Sequence, residues 1–148
     1  MSLVRSAGNR STELRLIALM RTARIRGWRR HQTLPGKPDF VFRKHRLAVF
    51  VDGCFWHACP KHVIFPAQRA AFWLRKLANN KARDRRVNRM LRKDGWRVVR
   101  IWEHDLARRG EVCVRRIHTA LKATLPPYLS PFPSKRGRQA KPQPRAHA

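Results

Sequence analysis

The sequence predicts an α/β fold in which a small mixed β-sheet is flanked by helices. Segments with apolar residues at helical spacing alternate with short segments rich in β-branched and aromatic residues. One short segment, residues 47–51, is apolar on both faces, as a central strand covered from both sides would be. The 148 residues suffice for one core, and a hydrophobic share of 43% is typical of a globular protein rather than a disordered one.

The first half of the chain is predicted to form a helix followed by a β-hairpin. Residues 13–26 have apolar side chains at helical spacing, Ser11 is a candidate N-cap, and Gly27 is a stop signal. The turn chemistry of residues 34–38 then precedes the hairpin. Its parts are, in order, a strand at 39–42, a basic turn at 43–46 and a strand at 47–51.

The second half is predicted to add a structured loop, two helices and one strand. The loop, residues 53–66, is dense in Cys, His and Pro. The other elements are a long helix at 67–93, a strand at 96–102 and a last helix at 112–123. Residues 126–148 are rich in Pro, Lys, Arg, Ala and Gln, so we expect a disordered basic tail after one domain of residues 1–125.

The charge balance indicates a nucleic-acid partner. The chain has 35 Lys and Arg against 8 Asp and Glu, a formal net charge of +27, and such an excess repels itself unless a polyanion screens it. On composition alone, a ribosomal-type or membrane-surface basic protein is the alternative. No apolar run approaches the roughly 18 residues of a membrane helix, and residues 1–10 lack the apolar core of a signal peptide. We therefore expect a cytoplasmic protein.

Carboxylates are scarce, and each one repels a nucleic acid. A carboxylate kept beside apolar residues is therefore expected to bind a metal, pair with an arginine or cap a helix. Asp39 begins one hairpin strand and Asp52 ends the other, so the pair could share a magnesium ion that activates water. His57 follows closely and suits a general acid or base, while Glu13 could hold an outer-shell water or a second ion. The alternative is that Asp39 and Asp52 only cap turns.

The cysteine-rich loop is a candidate zinc site. Cys54, Cys59 and His62 follow the spacing C-x4-C-x2-H, which can supply three of four tetrahedral ligands. His104 is the preferred fourth ligand because it directly follows a strand, and Asp105 or Glu103 could orient its ring. Two buried thiols with incidental histidines are the alternative. The other candidates for the fourth ligand are His57, His118 and Cys113, the last of which is more simply a core thiol.

Aromatic side chains stand where a DNA-binding surface would need them. Phe55 and Trp56 lie on the cysteine-rich loop, where apolar side chains should be scarce. Trp73 shares a helix face with Asn80 and Asp84 by spacings of three and four residues. Aromatics on a basic surface suit stacking on bases or wedging between them. Ordinary core packing is the alternative for Trp73.

Four stretches of the chain resemble the very-short-patch repair (Vsr) endonucleases. Together they cover roughly residues 13–121 in order, and each is a match of several residues. The resemblance implies a restriction-endonuclease-like core, one structural zinc, and magnesium-dependent nicking of double-stranded DNA beside a T:G mismatch by a monomeric, nucleoid-associated enzyme. The stretches are 34–40 (LPGKPDF), 49–57 (VFVDGCFWH), 72–84 (from Phe-Trp to Arg-Asp) and 95–103 (from Gly-Trp-Arg-Val to Trp-Glu).

The resemblance also implies a role for individual residues. Asp39 would be the metal-binding catalytic carboxylate, His57 the general acid/base, and Glu13 the helix glutamate near the site. The main-chain carbonyl of Val51 would be a magnesium ligand. Zinc would be held by Cys54, Cys59, His62 and His104. The aromatics expected to intercalate are Phe55, Trp56 and Trp73, and Lys76 and Asn80 would contact DNA.

The chain departs from the family pattern in three places. Asp52 stands where the best-known members have a second active-site histidine, so a carboxylate that could bind the metal directly replaces that histidine, and either Asp52 or a water would complete the magnesium shell. The histidine-rich run after His57 is shorter, and so is the segment ahead of Glu13 that helps the family grip DNA. Two further hypotheses follow: a general or restriction-associated nickase without mismatch specificity, and a non-catalytic zinc DNA-binding module. The buried-strand carboxylates and His57 argue against the second.

Overall fold

The computed structural model describes residues 10–54, 57–61 and 68–123. The predicted order of helix, hairpin, helix, strand and helix is confirmed, with one short helix added. No helix in this part of the chain is both long and apolar enough to cross a membrane. The elements are α1 (Arg10–Thr22), β1 (Phe40–Phe42), a 3₁₀ helix (Arg43–His45), β2 (Leu47–Asp52), α2 (Ala70–Lys93), β3 (Arg97–Trp102), α3 (Glu103–Arg108) and α4 (Gly110–Lys122).

The strand β2 is the centre of a three-stranded mixed sheet with the order β1-β2-β3. β1 runs antiparallel to β2, with Phe40 opposite Val49, and β3 runs parallel to it, with Asp52 opposite Trp102. The hairpin turns tightly because Arg46, after the 3₁₀ helix, adopts a left-handed conformation with φ 45°. The parallel pairing brings the ends of β2 and β3 to the same edge of the sheet, and the chain beyond each strand starts from that edge.

Each face of the sheet is covered by a separate hydrophobic core. α2 covers one face through Val87 and Leu91, which pack with Ala48 and Phe50 of β2. α1, α3 and α4 cover the other face, because alternate residues of a strand point to opposite sides. The predicted central strand with two apolar faces is therefore confirmed. The second core includes Leu16, Met20, Phe40, Leu47, Val49, Ile101, Leu106 and Ile117.

The first helix is shifted from its predicted range of residues 13–26. Ser11 lies inside α1, so its assignment as the N-cap is wrong. The helix ends before Gly27 because Arg24 adopts a left-handed conformation, with φ 57°. The Ile25 N–H then donates to the Met20 carbonyl at 2.8 Å, and Ile25 is buried although it lies outside the helix.

Other boundaries differ by a few residues. α2 begins at Ala70 because Arg69 adopts a left-handed conformation, with φ 63°. α3 is absent from the predicted elements because its six residues carry no helical repeat, and it places His104 in a first helical turn. Residues 126–148 and the predicted domain end at residue 125 lie outside the described residues, so the basic tail stays a prediction.

Candidate active site and metal site

A cleft of about 660 Å³ lies between the end of β2, the loop before β1 and the inner side of α2. Its carboxylates come from three different elements. The loop supplies Asp39, β2 supplies Asp52 and α2 supplies Asp84. The cations that share the cleft are Lys37, Lys76, Arg83 and Arg100, of which the first three are exposed. The cleft thus combines inner carboxylates, suited to a cation, with outer cations, suited to phosphate groups.

Asp39 is held beside the end of β2 by a hydrogen bond to the main chain. The Val51 N–H donates to Asp39 Oδ2 at 2.7 Å, so this residue supports β2 instead of pairing as the first residue of β1. Burial raises the pKa of Asp39 to about 6, and the charges of Glu13 and Asp52 act in the same direction against the hydrogen bond from Val51. Burial and the neighbouring carboxylates destabilise the ionised form of Asp39. A bound cation would stabilise that form.

His57 is oriented by a carboxylate that sequence reasoning did not assign. Its Nδ1 lies 2.6 Å from Asp84 Oδ2 and 3.7 Å from Asp52 Oδ1. Burial acts to raise the pKa of Asp84, but the hydrogen bond from His57 and the charge of Arg100 outweigh it, so the pKa is lowered. Because an ionised carboxylate can only accept, the imidazole must donate from Nδ1. Nε2 is then the ring atom left to exchange a proton.

Asp52 forms an ion pair with an arginine at the bottom of the cleft. Arg100 Nη1 donates to both oxygens of Asp52, at 2.7 and 2.9 Å, and Arg100 Nη2 donates to Asp84 Oδ1 at 3.2 Å. Asp52 is only 4% exposed. A buried carboxylate is expected to bind a metal, pair with an arginine or cap a helix. Asp52 pairs with an arginine and does not cap a turn.

Glu13 is likewise paired with an arginine. It is buried on α1, and Arg30 Nη2 donates to its Oε2. The guanidinium of Arg30 also lies 5.9 Å from the centroid of the Phe40 ring. Glu13 is near enough to Asp39 to raise the pKa of that carboxyl group, so it belongs to the electrostatic surroundings of the cleft.

An aromatic and basic surface lies on α2 next to the cleft. Phe72 is 52% exposed and packs edge-on against Trp73, with ring centroids 5.4 Å apart. Lys76 Nζ lies 5.4 Å from the Trp73 ring and 5.8 Å from the Phe72 ring, and both Lys76 and Asn80 line the cleft. Trp73 is only half-buried, which argues against ordinary core packing. Phe55 and Trp56 lie outside the described residues.

A second cluster unites three of the four predicted zinc ligands. The ligand atoms of Cys54, Cys59 and His104 all lie within 4.8 Å of one another, so they could hold a metal ion. His104 Nδ1 is 3.2 Å from the Cys54 sulfur and 3.6 Å from the Cys59 sulfur. Two thiols and an imidazole are zinc ligands and would occupy three corners of a tetrahedron. His62 lies outside the described residues.

The surroundings of His104 fit a metal ligand. Its Nε2 lies 3.3 Å from Asp105 Oδ1, so Asp105 is placed to orient the ring with Nδ1 towards the two sulfurs. Burial raises the pKa of the Cys54 thiol, and the neighbouring Cys59 adds to this effect, which a bound cation would reverse. Cys113 is a buried thiol of the second core, as predicted.

Sequence reasoning missed Asp84, Arg100 and Arg30 as members of the site. Asp84 does carry a signal, because its helical spacing from Asn80 places both on one face of α2. Arg100 interrupts the apolar residues of β3, which is the only local sign of its role. The rule that a buried carboxylate needs a cation predicts an arginine for Asp52 and Glu13 but does not say which one.

Comparisons with known proteins identify relatives of this chain. The model of the family described as DNA mismatch endonuclease Vsr matches residues 1–62. The chain is 52% identical over 69 residues to the type II nicking enzyme V.NaeI of Lentzea aerocolonigenes, covering 47% of this chain and 42% of that protein. It is 43% identical over 81 residues to the DNA mismatch endonuclease Vsr of Escherichia coli K12, covering 54% of this chain and 52% of that protein.

The match to these two relatives spans about half of their length. A longer match is found with the type II nicking enzyme V.NmeDIP of Neisseria meningitidis serogroup C. It is 34% identical over 117 residues, which cover 74% of this chain and 76% of that protein. The chain therefore belongs to the Vsr endonuclease family.

Proposed function

We propose that this protein is a magnesium-dependent DNA endonuclease that nicks one strand of a duplex at or beside a T:G mismatch and so initiates very-short-patch repair. The observation that carries the proposal is a single cleft that holds Asp39, with its raised pKa, together with His57 oriented by Asp84. A binding module has no use for a carboxylate that repels DNA and an imidazole fixed for proton transfer. We infer that the fold is a restriction-endonuclease-like core.

The donor set at Asp39 fits magnesium. The ion prefers oxygen ligands and retains several waters, and Asp39 and the main-chain carbonyl of Val51 are the groups that would hold it. The Val51 N–H to Asp39 hydrogen bond fixes these two residues against each other. When bound, magnesium polarises the phosphodiester and makes a bound water more acidic. Glu13 is paired with Arg30 and would not bind the ion directly. Its charge adds to the negative potential around Asp39.

His57 moves the proton in the proposed reaction. Because Asp84 holds Nδ1, Nε2 accepts a proton from the water that attacks phosphorus. The bond to the 3′ oxygen then breaks, that oxygen takes up a proton from solvent water, and the products are a 5′-phosphate and a 3′-hydroxyl. Asp84 stays ionised throughout and stabilises the imidazolium that forms, which its lowered pKa favours.

The surface of α2 suits a distorted duplex. The exposed Phe72 and the half-buried Trp73 form an aromatic pair beside the cleft, and Lys76 would neutralise phosphate charge next to it. Wedging aromatic rings between bases costs less at a mismatch, because pairing and stacking are already weakened there. Phe55 and Trp56 would take part in the same wedge. The tail at residues 126–148 would add sequence-independent, salt-sensitive affinity for the DNA backbone.

A second candidate function is a restriction-associated nickase that does not require a mismatch. The observation that favours it is that two of the relatives above bear the name type II nicking enzyme. Both functions use the same chemistry in the cleft. They differ in whether the DNA must contain a mismatch before it can enter the cleft. For the metal cluster we propose one structural zinc, bound by Cys54, Cys59, His104 and His62.

The deciding experiment is a nicking assay on a labelled duplex with one T:G mismatch beside its fully paired twin. Magnesium is supplied, and the chains compared are the wild type, Asp39→Asn and Asp94→Asn. Asp94 is an exposed carboxylate at the end of α2 outside the cleft, so its variant controls for the loss of one negative charge. A chelator is avoided because it would also remove zinc.

Each outcome distinguishes the proposals. Nicking of the mismatched duplex alone, lost in Asp39→Asn and kept in Asp94→Asn, supports mismatch repair. Equal nicking of both duplexes supports the restriction-associated function. Binding without nicking under all conditions would overturn the endonuclease proposal, and undiminished nicking by Asp39→Asn would overturn the role of Asp39.

A further inference from the structure

Arg100 connects the two carboxylates that face His57. Its Nη1 binds Asp52 and its Nη2 binds Asp84, so one planar guanidinium holds a carboxylate of β2 and a carboxylate of α2. Its Nε donates to Asn88 Oδ1 at 3.2 Å, and the guanidinium lies 4.6 Å from the centroid of the Phe50 ring. These contacts come from β2 and α2 and leave the guanidinium a single orientation. A lysine could not reproduce them, because its ammonium lacks the planar fork.

The two oxygens of Asp84 are divided between a base and a cation. Oδ1 accepts from Arg100 and Oδ2 lies against His57. A carboxylate held at only one oxygen can rotate, whereas one held at both cannot. We propose that Arg100 is a positioning residue, which fixes the orientation of Asp84 and thereby aims His57 Nε2 at the water that attacks the phosphodiester. This inference rests on the proposed function.

The same contacts assign Asp52 a different role from the one expected from sequence. Both of its oxygens accept from Arg100 Nη1, and its side chain is 6% exposed. Removing Arg100 would leave the buried Asp52 and the partly buried Asp84 facing one imidazole without the cation that now pairs with both. Asp52 is therefore the counter-ion of Arg100, and the residues that would hold magnesium are Asp39 and, through its carbonyl, Val51.

Four variants test the role of Arg100, and Asp52→Asn alone tests the role of Asp52. Arg100→Gln removes the charge, Arg100→Lys keeps it without the fork, and Arg100→Gln with Asp52→Asn removes both partners of the ion pair. Arg97→Gln is the matched control, because Arg97 lies on the same strand and binds the carbonyls of Ala123 and His45 outside the cleft. The measurements are kcat and KM of nicking, the magnesium concentration for half-maximal rate, and the protonated ring nitrogen of His57 by ¹⁵N NMR.

The expected results separate positioning from folding. Arg100→Gln should lower kcat by about 10²-fold with little change in KM, and His57 should lose its fixed Nδ1–H form, because a small misplacement of a proton-transfer group has that effect. The double variant should recover part of kcat, and Arg100→Lys should not restore it fully. Asp52→Asn alone should leave the magnesium requirement unchanged.

Three results would overturn the inference. They are a wild-type kcat and His57 tautomer in Arg100→Gln, equal losses in Arg100→Gln and Arg97→Gln, and a raised magnesium requirement in Asp52→Asn. If Arg100→Gln does not fold, the double variant still tests the pairing, because it leaves no buried charge at that ion pair. The NMR measurement needs no nicking. It therefore remains decisive for Arg100 even if the proposed function fails.

Discussion

Replacing Asp39 with Asn should make the magnesium-free protein more stable at neutral pH. Asn keeps the shape of Asp and can still accept the Val51 N–H, but it removes a charge that is opposed by burial, by Glu13 and by Asp52. The pKa of Asp39 rises from 3.8 to about 6, and each unit corresponds to about 1.4 kcal/mol, so the folded state loses up to about 3 kcal/mol when this group ionises.

The sign of the pH dependence follows from the direction of the shift. Below pH 3.8 the group is protonated in both states and costs nothing. Between pH 3.8 and about 6 the unfolded chain ionises while the folded chain keeps its proton, so the stability of the wild type falls. Above that range the loss is complete. The stability difference between Asp39→Asn and the wild type should therefore be absent at low pH and greatest above about pH 6.

Urea unfolding of both chains without magnesium, at several pH values from about 4 to 8, measures this difference. Taking the difference removes effects that both chains share, such as protonation of the Cys and His cluster. Asp94→Asn serves as the charge control and should show no such pattern. Added magnesium should stabilise the wild type and not Asp39→Asn. A destabilised variant at neutral pH, or a difference that does not shrink in acid, would refute the reasoning.

Three further predictions concern the pair of His57 and Asp84, the zinc site and the DNA-binding surface. His57→Ala should lower kcat of nicking by about 10²- to 10⁴-fold, and adding Asp84→Asn should lower it little further, because the two residues act as one unit. Cys59→Ser should abolish both the bound zinc, about one equivalent by elemental analysis in the wild type, and cooperative unfolding. Trp73→Ala should weaken the preference for a mismatched duplex in paired binding assays, whereas Lys76→Gln should lower the salt slope of binding by about 0.9 for both duplexes alike.

The zinc prediction and the salt-slope prediction each have a matched control variant. Cys113→Ser also removes a buried thiol, but from the second core, so it should cost stability and leave the zinc content unchanged. Arg115→Gln removes an exposed charge on α4, outside the cleft, and should change the salt slope less than Lys76→Gln. Zinc-free but cooperatively folded wild-type protein would contradict the structural role of the metal.

The elements of this fold were predictable because their signals are local. Apolar periodicity, turn residues and the two-faced pattern of residues 47–51 are properties of neighbouring residues, and they gave β2 its central place correctly. Helix ends were less predictable, because Arg24 and Arg69 adopt left-handed conformations, which glycine favours and arginine does not. α3 is too short to show a helical repeat.

Some residues of the site were predictable from the sequence and others were not, again because some signals are local and others are not. His104 could be chosen as a metal ligand because it directly follows a strand, and the structure shows why that position works: parallel pairing of β2 and β3 brings it to the loop after β2. The partner of Asp52 could not be chosen, because Arg100 lies 48 residues away and several arginines were equally available. A charge balance says that a buried carboxylate needs a cation. Only the pairing of β2 with β3, which sets Arg100 opposite Phe50 and so next to Asp52, says which cation reaches it.

The loop before Asp39 offers a test of how local backbone geometry supports the cleft. Gly36 and Gly27 both have φ values that L side chains rarely adopt, +75° and +85°. A Cβ at Gly27 would have nothing within 4 Å, whereas one at Gly36 would overlap the Val87 methyl groups and lie 3.3 Å from Phe50 Cε1. Val87 cannot easily rotate away, because a β-branched side chain has one preferred rotamer in a helix.

Gly27→Ala should therefore cost only the backbone strain, about 1 to 2 kcal/mol in urea unfolding. Gly36→Ala should cost about 1 to 3 kcal/mol more, since the loop and α2 must move apart to accept the methyl group. That movement displaces Asp39 from His57 and Asp84, so nicking should fall in Gly36→Ala and not in Gly27→Ala. Equal costs in the two variants, or full activity in Gly36→Ala, would mean that the contact between the loop and Val87 does not hold the cleft together.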